Sequence, residues 1–200
     1  MEASAPHGPY IEPEPRDWQP RAMSVGVRLL CGAIAFFFAA FVFAYFYLRS
    51  LDVHGSWKIG AVNPSTGLGV AIVLAFILSG AALRLAVARP ALDLRASSAG
   101  LILALLGVVL QVIQWATLGF GAASGAYASV FIGWTVMYAV LALACAYWIE
   151  TQVATVWRAR REGPGMGGPS SVTGNLEACA FFWTFYVAIG VLAFVILYLV

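Results

Sequence analysis

Residues 96–149 read ASSAGLILALLGVVLQVIQWATLGFGAASGAYASVFIGWTVMYAVLALACAYWI and include no Asp, Glu, Lys, Arg or His. About 20 apolar residues cross the hydrocarbon core of a bilayer as an α-helix, so this stretch is too long for one crossing. The segment GFGAASGA, residues 119–126, is glycine-rich and typical of a turn. We therefore predict two transmembrane helices here, near residues 97–118 and 127–150.

Three further apolar runs lie outside this stretch, at Leu29–Leu48, Ile59–Leu83 and Ala178–Val200. Asn63-Pro64 delays the predicted start of the second helix to about residue 65. Membrane β-strands alternate over only about 10 residues, so continuous runs of this length favour helices. The predicted fold is an all-α integral membrane protein, a bundle of five transmembrane helices near residues 26–48, 65–88, 97–118, 127–150 and 177–200.

The composition agrees with a membrane protein and excludes an ordinary soluble domain. Of the 200 residues, 62% are apolar and 10% are charged, and the mean hydropathy is +0.88. Soluble domains are about 45–50% apolar and about 25% charged because their surface faces water. The net charge is only +2 and the eleven Lys and Arg residues form no dense basic run, so we expect no nucleic-acid partner.

Basic residues between the predicted spans indicate the orientation of the bundle. Nine arginines would lie on one side: Arg16, Arg21, Arg28, Arg84, Arg89, Arg95, Arg158, Arg160 and Arg161. Only Arg49 and Lys58 would lie on the other. Because Lys and Arg accumulate in cytoplasmic loops, we predict a cytoplasmic N-terminus and an external C-terminus.

The polar segments are short and rich in proline or glycine. Residues 1–22 carry five prolines and four acidic residues, which predicts an extended or disordered cytoplasmic tail before the membrane domain of residues 23–200. Residues 163–171, GPGMGGPSS, predict a flexible connector between the fourth and fifth helices.

The predicted spans offer no group suited to redox chemistry or proton transfer. Ionisable residues inside a membrane are costly and usually mark such functions, yet His7 and His54 lie outside the spans. Cys31, Cys145 and Cys179 are isolated and lack the spacing of a metal site. We therefore predict no catalytic residue, no metal ligand and no cofactor bound by this chain.

The polar side chains within the spans predict helix packing. Gln111 and Gln114 are expected to make hydrogen bonds between helices, as amide side chains often do in membrane bundles. Ser129 and Gly133 form a small-xxx-small pair, which favours the close approach of another helix.

Four stretches resemble, in the same order, motifs of subunit III of the haem-copper cytochrome c oxidases in its five-helix bacterial form. They lie in four of the five predicted helices. The first resembles an aromatic run ending in A-Y-F-x-x-R, the second Q-x-x-E-[YW], the third Y-G-S-x-F-x-x-x-T-G and the fourth E-A-x-x-x-Y-W-H-F. The stretches are AFFFAAFVFAYFYLR at 35–49, QVIQW at 111–115, SGAYASVFIGWT at 124–135 and LEACAFFWTF at 176–185.

The chain departs from the family at its polar membrane positions. Neutral or apolar residues stand where the family has a carboxylate or a histidine: Ile34, Gln114, Tyr138, Leu141 and Thr184. Proton-related roles of those family side chains therefore do not carry over, and we expect a divergent member with a drier cleft.

The resemblance implies a non-catalytic subunit of a bacterial respiratory terminal oxidase in the cytoplasmic membrane. Its partners would be catalytic subunit I and subunit II, and subunit I would hold the haems and copper, reduce oxygen and pump protons. This chain would stabilise subunit I and hold structural phospholipid. The resemblance also allows a small additional membrane subunit and membership of a respiratory supercomplex. The matching residues imply contacts to lipid or partner at Arg49, Gln114, Tyr127, Ser129, Glu177 and Trp183.

Three alternatives stay open from the sequence. The chain could be the similar accessory subunit of a nitric oxide reductase, or a small transporter for an apolar compound, which would need no buried charge. Asp52 and His54 could also form an enzyme site at the water boundary, although D-x-H in a short loop is a frequent accident.

Overall fold

The computed structural model describes residues 18–55, 57–58, 63–89, 93–162 and 169–200. Side chains are described in these ranges except at residues 18–21, 159, 162 and 169–173. The predicted disorder of residues 1–17 and the predicted connector at residues 163–168 lie outside the described residues.

The described ranges contain helices and no strand. Five helices among the described residues are long and apolar enough to cross a membrane, which agrees in length and composition with the predicted bundle. A short 3₁₀ turn at Ala122–Ser124 precedes the fourth helix, and a π-helical turn at Val195–Leu199 follows the fifth. The helices are α1 (Trp18–Ser50), α2 (Thr66–Ala88), α3 (Leu94–Thr117), α4 (Ala126–Glu162) and α5 (Pro169–Phe194).

Helices α1, α4 and α5 extend furthest beyond the predicted spans. Helix α1 begins at Trp18, so residues 18–22, which we assigned to the tail, are helical. Helix α4 continues to Glu162 instead of ending near residue 150. Helix α5 begins at Pro169 and includes three residues assigned to the connector. Hydropathy locates only the apolar part of a helix, whereas its backbone hydrogen bonds can continue through the polar turns at either end.

The predicted turn between α3 and α4 is confirmed. Helix α3 ends at Thr117 and α4 begins at Ala126. Gly125 has a φ of +132°, a backbone conformation that residues other than glycine rarely adopt. The glycine-rich segment therefore reverses the chain where a continuous apolar run would otherwise prolong one helix.

Helix α5 lies at the centre of the packing, because it contacts α1, α2 and α4. Helix α2 packs along α3, α3 along α4, and α4 along α1. Two glycines of α3, Gly100 and Gly107, pack tightly against α2. A Cβ on Gly107 would lie 2.9 Å from the Phe76 ring, and Ser79 Oγ donates to the Gly100 carbonyl at 2.6 Å.

Contacts between helix ends show which ends of the five helices lie together. Gln114, near the end of α3, donates to the Ser65 carbonyl at the start of α2. Tyr127, at the start of α4, donates to the Leu197 carbonyl near the end of the chain. The starts of α1, α3 and α5 thus share one end of the bundle with the ends of α2 and α4. We call this the arginine-rich end after its described arginines: Arg28, Arg84, Arg89, Arg95, Arg158, Arg160 and Arg161.

Asp93 caps helix α3 at the arginine-rich end. Its Oδ1 accepts from the backbone N–H groups of Arg95 and Ala96 at 3.0 and 3.3 Å, and its Oδ2 accepts from Arg89. The Arg89 hydrogen bond, helped by the two backbone donors, holds the pKa of the Asp93 carboxyl below its usual range. The carboxylate form therefore stabilises the folded chain.

We expect Asp93→Ala to lower the thermal unfolding midpoint at neutral pH. A lowered folded-state pKa gives stability that is present above the ordinary Asp pKa of about 3.9 and is lost as the pH falls through the folded value. The difference between Asp93→Ala and the unaltered chain should therefore shrink in acid. Asp93→Asn is the control, since Asn keeps the cap without the charge and should fall between them. An Asp93→Ala difference that is constant with pH would refute this electrostatic contribution.

Candidate functional site

Two stacked tyrosines from α4 and α5 occupy the middle of the bundle. The rings of Tyr138 and Tyr186 lie 4.4 Å apart at an interplanar angle of 9°. Tyr138 Oη donates to the Tyr186 carbonyl at 3.1 Å, and Tyr186 Oη donates to the Tyr138 carbonyl. The reciprocal hydrogen bonds satisfy both hydroxyls without a charge, so Tyr138 fits an apolar interior.

An aromatic layer surrounds this pair. Phe38 of α1 lies 6.0 Å from Tyr138, Phe76 of α2 lies 5.6 Å from Tyr138, and Trp183 lies 5.7 Å from Phe76. Trp134 lies 6.3 Å from Phe38. In the described part of the chain, the indole N–H groups of Trp134 and Trp183 are buried without a hydrogen-bond acceptor. The layer is thus held by ring packing rather than by a polar network.

The other positions where the sequence differs from the motifs it resembles are distributed around this layer. Ile34 is buried, and Leu141 is half-buried against the core. Thr184 is exposed, and its Oγ1 accepts from Arg84 Nε at 2.9 Å. Thr184 therefore makes a polar contact with α2.

Gln114 makes the interhelical hydrogen bond expected of it. Its Nε2 donates to the Ser65 carbonyl, and its Oε1 accepts from Gln111 Nε2, both at 3.2 Å. Both amides are buried. These two hydrogen bonds connect the end of α3 with the start of α2, at the end of the bundle opposite the arginine-rich end.

Arg49 and Tyr127 bind the carbonyls of the last turn at that same end. Arg49 Nη1 donates to the Val200 carbonyl at 2.7 Å, and Tyr127 Oη donates to the Leu197 carbonyl at 2.6 Å. The Lys58 ammonium lies 4.4 Å from the centre of the Tyr127 ring. Partial burial and, second, the charge of Arg49 lower the pKa of Lys58. The hydrogen bonds from Arg49 and Tyr127 satisfy carbonyls that a helix end leaves without partners.

The six residues predicted to contact lipid or a partner do not form one site. Gln114, Tyr127 and Trp183 are buried inside the chain. Ser129 is exposed, but its Oγ donates to the Ala122 and Gly125 carbonyls of the turn, so it caps that turn. Arg49 and Glu177 are exposed at opposite ends of the bundle. The contacts of all six residues to lipid or a partner stay predictions.

Glu177 lines a polar pocket at the arginine-rich end, between α1, α2 and α5. The pocket has a volume of about 210 Å³, and Arg28 and Arg84 line it together with Glu177. Neither arginine was predicted as a site residue, because in the sequence both served only to indicate the orientation of the bundle. Nothing in the sequence around Arg28 or Arg84 indicates that these parts of α1 and α2 pack against α5. The remaining lining residues are Ser24, Val27, Gly174, Ala178 and Phe181.

An apolar groove follows the seam between α1 and α5. Its volume is about 520 Å³, and small side chains on both helices leave the space open. The groove is lined by Ala35, Phe38, Ala39, Val42, Phe43, Phe185, Ala188, Ile189 and Leu192. Such a surface can hold a hydrocarbon chain or pack against another apolar helix.

The described ranges contain no cluster suited to a metal. Nowhere in them do three His, Cys, Asp or Glu side chains come close enough to share an ion. The three cysteines are buried and unpaired with one another. Asp52 and His54 lie in the loop after α1, where His54 is exposed.

Comparisons with known proteins identify no relative: no protein-family model matches the chain, and a search of curated proteins finds no match.

Proposed function

We propose that the chain is a non-catalytic, subunit III-like component of a bacterial haem-copper terminal oxidase. In this role it packs in the cytoplasmic membrane beside catalytic subunit I and subunit II, stabilises subunit I and holds phospholipid. The haems and copper belong to subunit I, and this chain supplies shape and lipid contacts.

One observation carries the proposal: the stretches that resemble the family pack against each other. Phe38 from the first stretch contacts Trp134 from the third, with ring centres 6.3 Å apart. Trp115 from the second stretch donates from Nε1 to Thr135 Oγ1 of the third at 3.0 Å. Phe38 also lies 6.5 Å from Tyr186, which directly follows the fourth stretch. Motifs scattered by chance would not be expected to converge in this way.

The chemistry of the interior favours a structural subunit over a catalyst or a transporter. Among the described residues, every buried polar side chain is uncharged: Ser79, Ser97, Gln111, Gln114, Thr135 and Gln152. Proton relays and ion paths in membranes depend on ionisable groups that face the bundle interior. A neutral interior beside an open apolar groove fits a lateral subunit of a larger assembly.

Purification through a tag at the N-terminus tests the proposal. In mild detergent we expect haem absorbance bands and two larger membrane chains to travel with the tag, and the complex to consume oxygen. A colourless single species under the same conditions would refute the proposal. Reduction of nitric oxide rather than oxygen by the isolated complex would favour the nitric oxide reductase alternative. An untagged strain carried through the same column is the control for haem proteins that bind nonspecifically.

A further inference from the structure

A small cavity lies between α2, α3, α4 and the end of α5, next to the aromatic layer. Its volume is about 40 Å³. A buried water molecule needs about 10–15 Å³ of such space, so the cavity has room for water. Phe76 and Tyr138 of the aromatic layer line it, together with the polar side chains of Gln111, Trp134 and Thr135.

Trp134 brings a hydrogen-bond donor without a partner to this cavity. Its side chain is fully buried, and its indole N–H finds no acceptor among the described residues. A buried donor that lost its hydrogen bonds to water on folding and gained none in return costs free energy. An acceptor inside the cavity would remove that cost.

Gln111 and Thr135 bring acceptor atoms to the same cavity. The Gln111 amide donates from Nε2 to Gln114 Oε1 at 3.2 Å, while its own Oε1 accepts from no other described residue. Thr135 Oγ1 donates to the Phe131 carbonyl at 2.8 Å and accepts from Trp115 Nε1 at 3.0 Å, which leaves one lone pair. The cavity wall thus offers one donor and two acceptors.

Water matches this set of groups, because it accepts through its oxygen and donates through two hydrogens. We propose that the cavity binds an ordered water molecule. Its oxygen accepts from Trp134 Nε1–H, and its two hydrogens donate to Gln111 Oε1 and Thr135 Oγ1. Buried waters typically make about three hydrogen bonds to polar groups that would otherwise lack partners.

The same groups disfavour other small occupants. No charged residue lines the cavity, so an ion would be buried without a counter-charge. An apolar molecule would leave the Trp134 N–H without an acceptor. A short alcohol has only one O–H, which cannot serve both acceptors.

The water connects three helices. It joins Trp134 and Thr135 of α4 to Gln111 of α3, and Gln111 is joined through Gln114 to the Ser65 carbonyl at the start of α2. Hydrogen bonds between helices contribute to association inside a membrane. The inference goes beyond the proposed function and does not depend on it, because every group that holds the water belongs to this chain.

A structure of the purified full chain, in whatever complex it is isolated with, tests this assignment at a resolution that shows ordered waters. We expect compact density about 2.7–3.2 Å from Trp134 Nε1, Gln111 Oε1 and Thr135 Oγ1. Trp183 is the matched control, since its indole N–H is also buried without an acceptor among the described residues but does not line the cavity. Missing density at Trp134, elongated density from a detergent or acyl tail, or equal water density at Trp183 would overturn the assignment.

An isosteric amino acid tests the hydrogen bond itself. In 3-benzothienylalanine a sulfur atom replaces the indole N–H, and the shape of the ring is kept. In place of Trp134 it should lower the thermal unfolding midpoint by about 2–4 °C, because the hydrogen bond to the water is lost. In place of Trp183 it should leave the midpoint unchanged or raise it, because it removes a donor without a partner. Equal shifts at the two positions would contradict the water site.

A larger side chain in the cavity wall tests the location of the water. Ala193 is buried and lines the cavity, so Ala193→Val should displace the water and remove the density at Trp134. In that variant, 3-benzothienylalanine at position 134 should no longer lower the midpoint. Ala188→Val is the control, since Ala188 is exposed on the same helix and does not line the cavity. Density that persists in Ala193→Val, or disappears in Ala188→Val, would refute a water held in this cavity.

Discussion

Gly107→Val is expected to weaken the contact between α2 and α3 and to lower the thermal unfolding midpoint strongly. A Cβ on Gly107 would lie 2.9 Å from the Phe76 ring, closer than van der Waals contact allows. Phe76 is almost fully buried, and Tyr138 and Trp183 flank it at 5.6 and 5.7 Å. Relieving this contact must either displace the buried Phe76 ring against its aromatic neighbours or separate the two helices. Overpacking of this kind costs about 1–3 kcal/mol and occasionally more.

A graded series tests this explanation against a general effect of glycine replacement. Gly107→Ala should destabilise less than Gly107→Val. Gly80→Ala, in the facing helix, is the matched control, because its Cβ would meet Trp183 at an ordinary 3.6 Å. In an α-helix alanine is favoured over glycine by up to about 1 kcal/mol, so this control should be neutral or stabilising. The measurement is the thermal unfolding midpoint in detergent. If Gly107→Ala and Gly80→Ala lower this midpoint equally, the contact between Gly107 and Phe76 is not the cause.

Gly190→Ala is expected to disrupt the central tyrosine pair. The new Cβ would meet the Tyr138 hydroxyl and lie 2.8 Å from Tyr138 Cζ. The Tyr138 ring would have to leave its stack on Tyr186 and break the reciprocal hydrogen bonds. Each hydrogen bond contributes about 1 kcal/mol net, and an aromatic pair adds about 0.5–1.5 kcal/mol. We therefore expect the free energy of unfolding to fall by about 2.5–3.5 kcal/mol.

A double-mutant cycle with Tyr138→Phe tests the contact directly. Removing the hydroxyl relieves the shortest contact with the new Cβ, so the double variant should be less destabilised than the sum of the two single variants. The unfolding free energies of all four proteins in one detergent give the coupling. Additive effects would mean that Gly190 and Tyr138 do not interact as the structure describes.

The membrane helices could be predicted from local composition. Insertion into lipid depends on the transfer free energy of successive residues and on backbone hydrogen bonds within one segment, and neither requires knowledge of other helices. The glycine-rich turn before Ala126 was predictable for the same reason, since Gly125 acts through its own φ. The helix ends were predicted less accurately. Helix α4, for example, continues to Glu162 because polar residues can extend a helix beyond its apolar part.

The candidate site was only partly predictable. Glu177 was identified from its motif, and the structure brings it together with Arg28 and Arg84 in one pocket. The arginines lie 56 residues apart in the sequence, and no helical period relates α1 to α2. Trp183, predicted as a contact residue, is buried against Phe76. Motif order could not reveal which face of α5 points inward.

The amino-acid order alone was enough to establish a five-helix membrane chain, a neutral interior and the reversal at the glycines. Each of these features depends on the hydropathy, charge and backbone preferences of residues that are neighbours in the sequence. The tyrosine pair, the glycine contacts at Gly107 and Gly190, and the seam between α1 and α5 emerged only when the helices were packed. They depend on the shapes of side chains far apart in sequence, because inside lipid helices associate through close packing and interhelical hydrogen bonds rather than through hydrophobicity.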